Sequence, residues 1–269
     1  MTHHRMDGGA PPTVALLPAV PLRLSGMSEA ERKTRVELAA AYRWMAHLGL
    51  GELAHTHVCA RVPDEPDAFL IKPMELFYEE VTASNLIKYD FEGNPRQPGK
   101  QPLSGGGLVI HGGIFAARRD VNATVHSHAS AIIGVSCQKH GLLPINQQAV
   151  PFMGKIAYLE YGGLDTEFEH RGPLLDGLKG HDYALLRNHG ALVLGKTVGG
   201  AITDHYKLDL ACRSQLAALT GGHEVVLIAD EVVKKTQAQI AARPFYGDGG
   251  LNWRGMLRMA DRLFPDYKE

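Results

Sequence analysis

Between residues 28 and 49 apolar side chains recur at Val36, Leu38, Ala39, Tyr42, Met45 and Leu48, a spacing that predicts an amphipathic helix ending at Gly49. Ser28 stands at the N-cap position and Glu31 follows three residues on, the signature of a capping box. The pattern then shortens: apolar runs at 57–62, 69–71 and 86–91, each bounded by Pro, Asp or Gly, predict strands. Gly105, Gly106 and Gly107 open a second helix that reaches Arg118, residues 122–126 read as a buried strand, and Ile132, Ile133 and Val135 carry a helix from His128 towards Gly141. Further strands are predicted at 158–161, 184–187 and 191–194. The longest helix, capped by Thr197, runs through Ile202, Tyr206, Leu210 and Leu216 and stops at Gly221-Gly222. Short strands alternating irregularly with helices predict a layered α/β domain, and the chain shows no internal repeat.

This pattern divides the chain into a Pro- and Gly-rich flexible N-terminal arm at 1–25, a domain at 26–222 and a C-terminal tail at 223–269. With 269 residues, 45% of them hydrophobic, there is enough material for one sizeable core. The 28 basic and 29 acidic side chains leave a net charge of −1 without long runs of one sign, so neither nucleic acid nor an anionic membrane is an implied partner. Cys59, Cys137 and Cys212 are widely spaced and odd in number, which argues for reduced thiols in a cytoplasmic protein. The apolar stretch at 13–20 is too short for a membrane span and lacks the small-residue cleavage site of a signal peptide.

Candidate chemistry begins at Val125-His126-Ser127-His128, because two histidines two apart on an extended strand project to the same side and can grip one metal ion. His189, in Leu186-Arg187-Asn188-His189-Gly190, is the third candidate ligand. Three imidazoles with no evident fourth protein ligand match an open, catalytic kind of metal site rather than a structural one. His111, on the apolar face of its helix, reads as a core histidine. His55, His57 and Lys72 offer donors or cations suited to a carboxylate or phenolate.

Four segments in order, Val81-Thr82-Ala83-Ser84-Asn85-Leu86, Ile110-His111-Gly112-Gly113-Ile114-Phe115-Ala116-Ala117-Arg118-Arg119-Asp120-Val121, Val125-His126-Ser127-His128 and Arg187-Asn188-His189-Gly190, make the chain resemble the class II aldolase/adducin family from Ser28 to Gly222. The resemblance implies a three-layer α/β/α sandwich around a mainly antiparallel central sheet. It also implies one divalent metal ion (Mn2+, Zn2+ or Fe2+) on His126, His128 and His189, and a homotetramer with sites at subunit interfaces. Tyr246 and Arg254, in the aromatic and basic tail, are then candidate substrate-binding lid residues. Adducin heads look poor in metal ligands at the paired histidines, which this chain keeps.

Departures from the family's sugar-phosphate aldolases shape the expected reaction. Those enzymes carry a catalytic glutamate four residues before the equivalent of His111, where this chain has Gly107, and losing a positioned acid/base costs about 10²–10⁴-fold. Their phosphate loop, G-T-x-G-N, is replaced by Glu52-Leu53-Ala54-His55-Thr56-His57, and the second phosphate segment reads Ser104-Gly105-Gly106. The glycines are expected to leave room for a flat ligand, so Ser104 and Gly107 join His55 as substrate-binding candidates. The expected function is a metal-dependent lyase that decarboxylates a hydroxylated aromatic or heteroaromatic acid in aromatic compound catabolism. It would be similar to the family's hydroxy-methylpyridine-dicarboxylate and dihydroxyphthalate decarboxylases, with His57, Lys72 or Glu75 returning the proton. The alternatives are a retro-aldolase on a non-phosphorylated hydroxy acid, a non-haem iron oxygenase and an adducin-like scaffold.

Overall fold

The computed structural model describes residues 26–164, 168–243 and 249–269, so the predicted arm at 1–25 and Tyr246 lie outside the described residues. The described strands are β1 (His57–Val62), β2 (Glu65–Ile71), β3 (Ile87–Asp90), β4 (Ala123–Ser127), β5 (Ile156–Leu159), β6 (Tyr183–Leu186) and β7 (Gly190–Gly195). They form one sheet in the order β3-β2-β1-β4-β7-β6-β5. Only β5 and β6 pair in parallel; the other neighbours are antiparallel.

Side-chain alternation along each strand builds the layers. In β1, Val58, Ala60 and Val62 join an apolar cluster with Leu38, Tyr42 and Met45 of α1 (Glu29–His47). Ala201, Ile202 and Leu208 of α5 (Val198–Leu219) belong to the same cluster. Cys59 points the other way, into a cluster with Phe69, Leu192, Ile114 and Phe115 of α2 (Gly113–Ala117), and Leu174 and Leu178 of α4 (Arg171–Leu178). The sheet is therefore covered on both faces, the three-layer arrangement anticipated above.

Local departures have identifiable causes. Ser28 Oγ accepts from Glu31 N–H at 3.0 Å, but the Glu31 carboxylate takes Arg35 Nε at 2.9 Å and Lys88 Nζ at 3.0 Å instead of closing the capping box. Arg35 is fully buried and needs that counter-charge more than the helix end does. The glycine-led second helix is a π-helical turn, Gly107–Gly112, running into α2. Next, α3 (Ser130–Ser136) follows β4 as expected, whereas β5 starts two residues earlier than predicted, which frees Glu160 and Tyr161 from the sheet. Helix α4 has no clear sequence signal, since Gly172, Pro173 and Gly177 read as loop; burial of Leu174 and Leu178 makes it.

Beyond α5 come α6 (Asp230–Ala241) and α7 (Gly250–Leu263). Residues 249–269, read from the sequence as tail, dock on the chain's own α1 and α5. Trp44 Nε1 donates to Met256 O at 2.9 Å, Arg43 pairs with Asp266 at 2.6 Å, and buried Trp253 lies so close to Gly199 that a Cβ there would meet its ring at 2.3 Å. Among the described residues no helix is long and apolar enough to cross a membrane.

Candidate metal centre

In β4 the residues alternate sides, Ala123 and Val125 towards α1 and α5, Thr124 and His126 towards the layer of α2. His128 follows one residue past the end of the strand. The neighbouring β7 begins at Gly190, and Ser127 pairs with Ala191 across the ladder. A Cβ on Gly190 would lie 2.1 Å from Ser127 O, so only glycine lets the β6–β7 turn close against β4. Asn188, with φ of 58°, completes that turn in the left-handed region asparagine tolerates. His189 is thereby placed beside His128.

The three candidate ligands meet by their Nε2 atoms. His128 Nε2 is 3.1 Å from His126 Nε2 and 2.9 Å from His189 Nε2, and one ligand atom from each residue lies within 4.8 Å of the others. Nitrogens bound at about 2.0–2.1 Å to a tetrahedral ion would sit about 3.3 Å apart, close to this spacing. Tautomers support the same geometry. Ala191 O can only accept, so His126 Nδ1, 3.1 Å away, carries the proton and its Nε2 lone pair is left to the centre. Glu52 Oε2 accepts from His128 Nδ1 with the same consequence. Burial, followed by the neighbouring imidazoles, holds His126 well below the ordinary histidine range, so it is neutral as a ligand must be. The residues present fit a divalent ion.

A second layer of polar groups backs the centre. His57 lies opposite His126 on β1, with ring centroids 5.6 Å apart, and its Nδ1 is 2.9 Å from His111 Nε2. His111 Nδ1 is 2.6 Å from Thr124 Oγ1. His111, expected as a core histidine, is fully buried and links His57 to β4. Burial lowers His57 strongly and His111 to about 3, so both rings are neutral at neutral pH. The loop before β1 carries two non-glycine residues at positive φ, Leu53 at 49° and Thr56 at 64°. Thr56 Oγ1 bonds Tyr78 OH at 2.7 Å, and Lys72 Nζ donates to Ala54 O at 2.7 Å and to Pro73 O and Met74 O at 3.3 Å.

Other sequence candidates lie differently. Lys72 is 1% exposed with three donors already given to carbonyls, so it is a clamp on the 52–57 loop rather than an open cation for substrate. Gly107 is buried, and a Cβ there would meet Ile71 Cδ1 at 3.3 Å and Leu103 Cδ1 at 3.5 Å. Its missing side chain therefore opens no room for a flat ligand: the vector points into the apolar layer. Glu75, Ser104 and His55 are exposed, and Arg254 is exposed on α7, in the helical layer across the sheet from His126. Sequence reasoning missed Glu52 and a cleft of about 470 Å³ whose wall includes His189 together with Tyr158, Glu160, Tyr161, His170 and Arg187. Tyr161 presents its ring edge-on to His189, centroids 6.1 Å apart. Only Arg187 and His189 of that wall fall in a local motif, because its residues come from the end of β5, the start of α4 and the turn after β6.

Residues 36–216 match the class II aldolase and adducin N-terminal domain, and the chain belongs to that family. A candidate aldolase class 2 protein of Caulobacter vibrioides is 36% identical over 264 residues, covering 98% of this chain and all of the relative. Human gamma-adducin is 33% identical over 255 residues, covering 89% of this chain but only 36% of the adducin. Among solved structures, an aldolase II superfamily protein from Pseudomonas syringae superposes with a TM-score of 0.84 at 37% identity, covering 91% of this chain and 98% of that one. The L-fuculose 1-phosphate aldolase of Glaciozyma antarctica reaches 0.78 at 22% identity, covering 93% and 98%, a likeness of fold.

Proposed function

We propose that the protein is a metal-dependent carbon–carbon lyase acting on a small hydroxylated carboxylic acid, with decarboxylation of a hydroxylated aromatic or heteroaromatic acid as the favoured reaction. The observation that carries this reading is the convergence of three Nε2 atoms, two of them on imidazoles whose Nδ1 is engaged by Ala191 O and Glu52. His126, His128 and His189 would hold the ion, and imidazole donors suit zinc, manganese or iron(II). When bound, the ion supplies Lewis acidity for negative charge developing on a substrate oxygen.

The chain's own residues divide the remaining tasks. His57 has its Nδ1 committed to His111, so Nε2 is the atom left for the substrate. At Nε2 it can take the hydroxyl proton of a bound acid and return it to carbon after CO2 has left with its bonding pair behind on the ring. Arg187, whose Nη1 and Nη2 bond Ser136 O, Gln138 O and Lys139 O, puts a fixed positive charge in the cleft wall, and Tyr161 gives the wall a flat face. No carboxylate at position 107 is needed for this proton inventory.

Retro-aldol cleavage of a non-phosphorylated hydroxy acid is the second reading, favoured by Glu160 and Tyr161, an acid/base pair in the same cleft as His189. A panel of hydroxylated pyridine and benzene dicarboxylates against fuculose and ribulose phosphates, with CO2 and aldehyde both monitored on zinc- and manganese-loaded protein, separates the two. CO2 from an aromatic acid supports the first; aldehyde from a sugar phosphate with no CO2 overturns it. Iron in the purified protein with oxygen consumption would point to the oxygenase, and a protein that takes up no metal to the scaffold.

A further inference from the structure

We propose that Glu52 is a positioning residue for the metal centre: from a clamped, strained loop it fixes the orientation and proton of His128 and so sets how tightly the three histidines hold an ion. The proposal rests on the metal reading above and concerns a residue outside the ligand set. Glu52 comes from the loop between α1 and β1, whereas His128 follows β4, so the hydrogen bond ties two elements far apart in sequence. A carboxylate on the far nitrogen of a ligating imidazole keeps the near lone pair free, orients the ring and raises its basicity.

What distinguishes this contact from an ordinary surface ion pair is the structure spent on holding it. Glu52 is exposed, and an exposed pair alone would be worth little. Yet the loop that carries it holds Leu53 at φ 49° and Thr56 at φ 64°, and a β-branched residue in that region is strained. Three tethers keep the loop there: His55 N donates to Glu52 O at 2.8 Å, Thr56 Oγ1 meets Tyr78 OH, and the Lys72 ammonium binds Ala54 O from inside. The third non-glycine residue at positive φ among those described, Asn188, adjoins His189. All three such residues among those described thus lie in the turns that deliver the carboxylate and a ligand to the same centre, and two of them carry strain. Lys72, buried behind the loop, belongs to this support.

Zinc affinity of the stripped full-length protein, measured by competition with a chromophoric chelator, tests the assignment in wild type, Glu52→Gln, Glu52→Ala and Glu79→Gln, the last removing an exposed charge elsewhere. Glu52→Ala is expected to weaken zinc binding about 10–100-fold, Glu52→Gln to fall between, since its amide oxygen still accepts from Nδ1, and Glu79→Gln to match wild type. The unfolding midpoint of the metal-free proteins should be the same in all four, which a merely structural role for Glu52 would not give. Wild-type affinity in both Glu52 variants overturns this proposal alone, while a wild type that takes up no zinc overturns the metal reading and this proposal with it.

Discussion

His128 makes its two nitrogens do different work, Nδ1 towards Glu52 and Nε2 towards the other imidazoles. Replacing it with alanine removes one donor of three, and elemental analysis of His128→Ala is expected to find little bound metal; content equal to wild type would sink the site. Gly190 acts one step earlier, through the backbone. A Cβ at 2.1 Å from Ser127 O must push β7 from β4, so Gly190→Ala should cost more than about 3 kcal/mol in denaturant unfolding and lower metal content together. Position 107 behaves otherwise. Gly107→Glu would bury a carboxylate against Ile71 and Leu103, and a loss of several kcal/mol, on the order of that for other buried unpaired charges, is expected rather than a quiet change of substrate.

At the scale of elements, the 52–57 loop depends on Lys72. Lys72→Met leaves the carbonyls of Ala54, Pro73 and Met74 without their donor, and hydrogen bonds from a charged group are worth about 1.5–3 kcal/mol, so the unfolding midpoint should fall and zinc affinity with it. The pH dependence has a defined sign. Burial lowers Lys72 from 10.5 to about 8, so between those values the folded chain holds fewer protons than the unfolded one. Stability contributed by this group therefore rises with pH from about 8 to 10.5, as the cost of a buried charge is relieved. Stability curves for wild type and Lys72→Met across that window should differ in slope, and parallel curves would show that the buried ammonium does not titrate there.

On the scale of the whole molecule, the two faces of the sheet are separable. Trp253 of α7 packs on Gly199 in the α1–α5 layer, away from the histidines, so Trp253→Ala should cost about 3–5 kcal/mol in denaturant unfolding yet leave metal content unchanged. Metal binding stabilises only the folded state: zinc at about 100 times its dissociation constant should add about 2.7 kcal/mol to wild type and nothing comparable to His128→Ala. A differential thermal scan reads both. Equal shifts in the two proteins would place the ion elsewhere.

Patterns read locally along the chain were those whose cause is local. The period of α1 and α5, the caps at Ser28 and Thr197, the short apolar runs of β1 and β4 and the same-side pair His126 and His128 all follow from backbone geometry within a few residues, and the structure contains them. The family resemblance added the layer order and set His189, already a candidate ligand, in a matching motif. Tertiary structure decided the rest, because the deciding contacts join residues distant in sequence. Lys72 became a clamp rather than a substrate cation because its ammonium folds onto a loop that nothing in its own neighbourhood describes. Gly107 lost its assigned role because a π turn and the facing Ile71 and Leu103 set where its side chain would point. Helix α4 formed against its composition because burying Leu174 and Leu178 outweighs weak propensity. Glu52 reached His128 only across the fold, where no spacing rule could announce it.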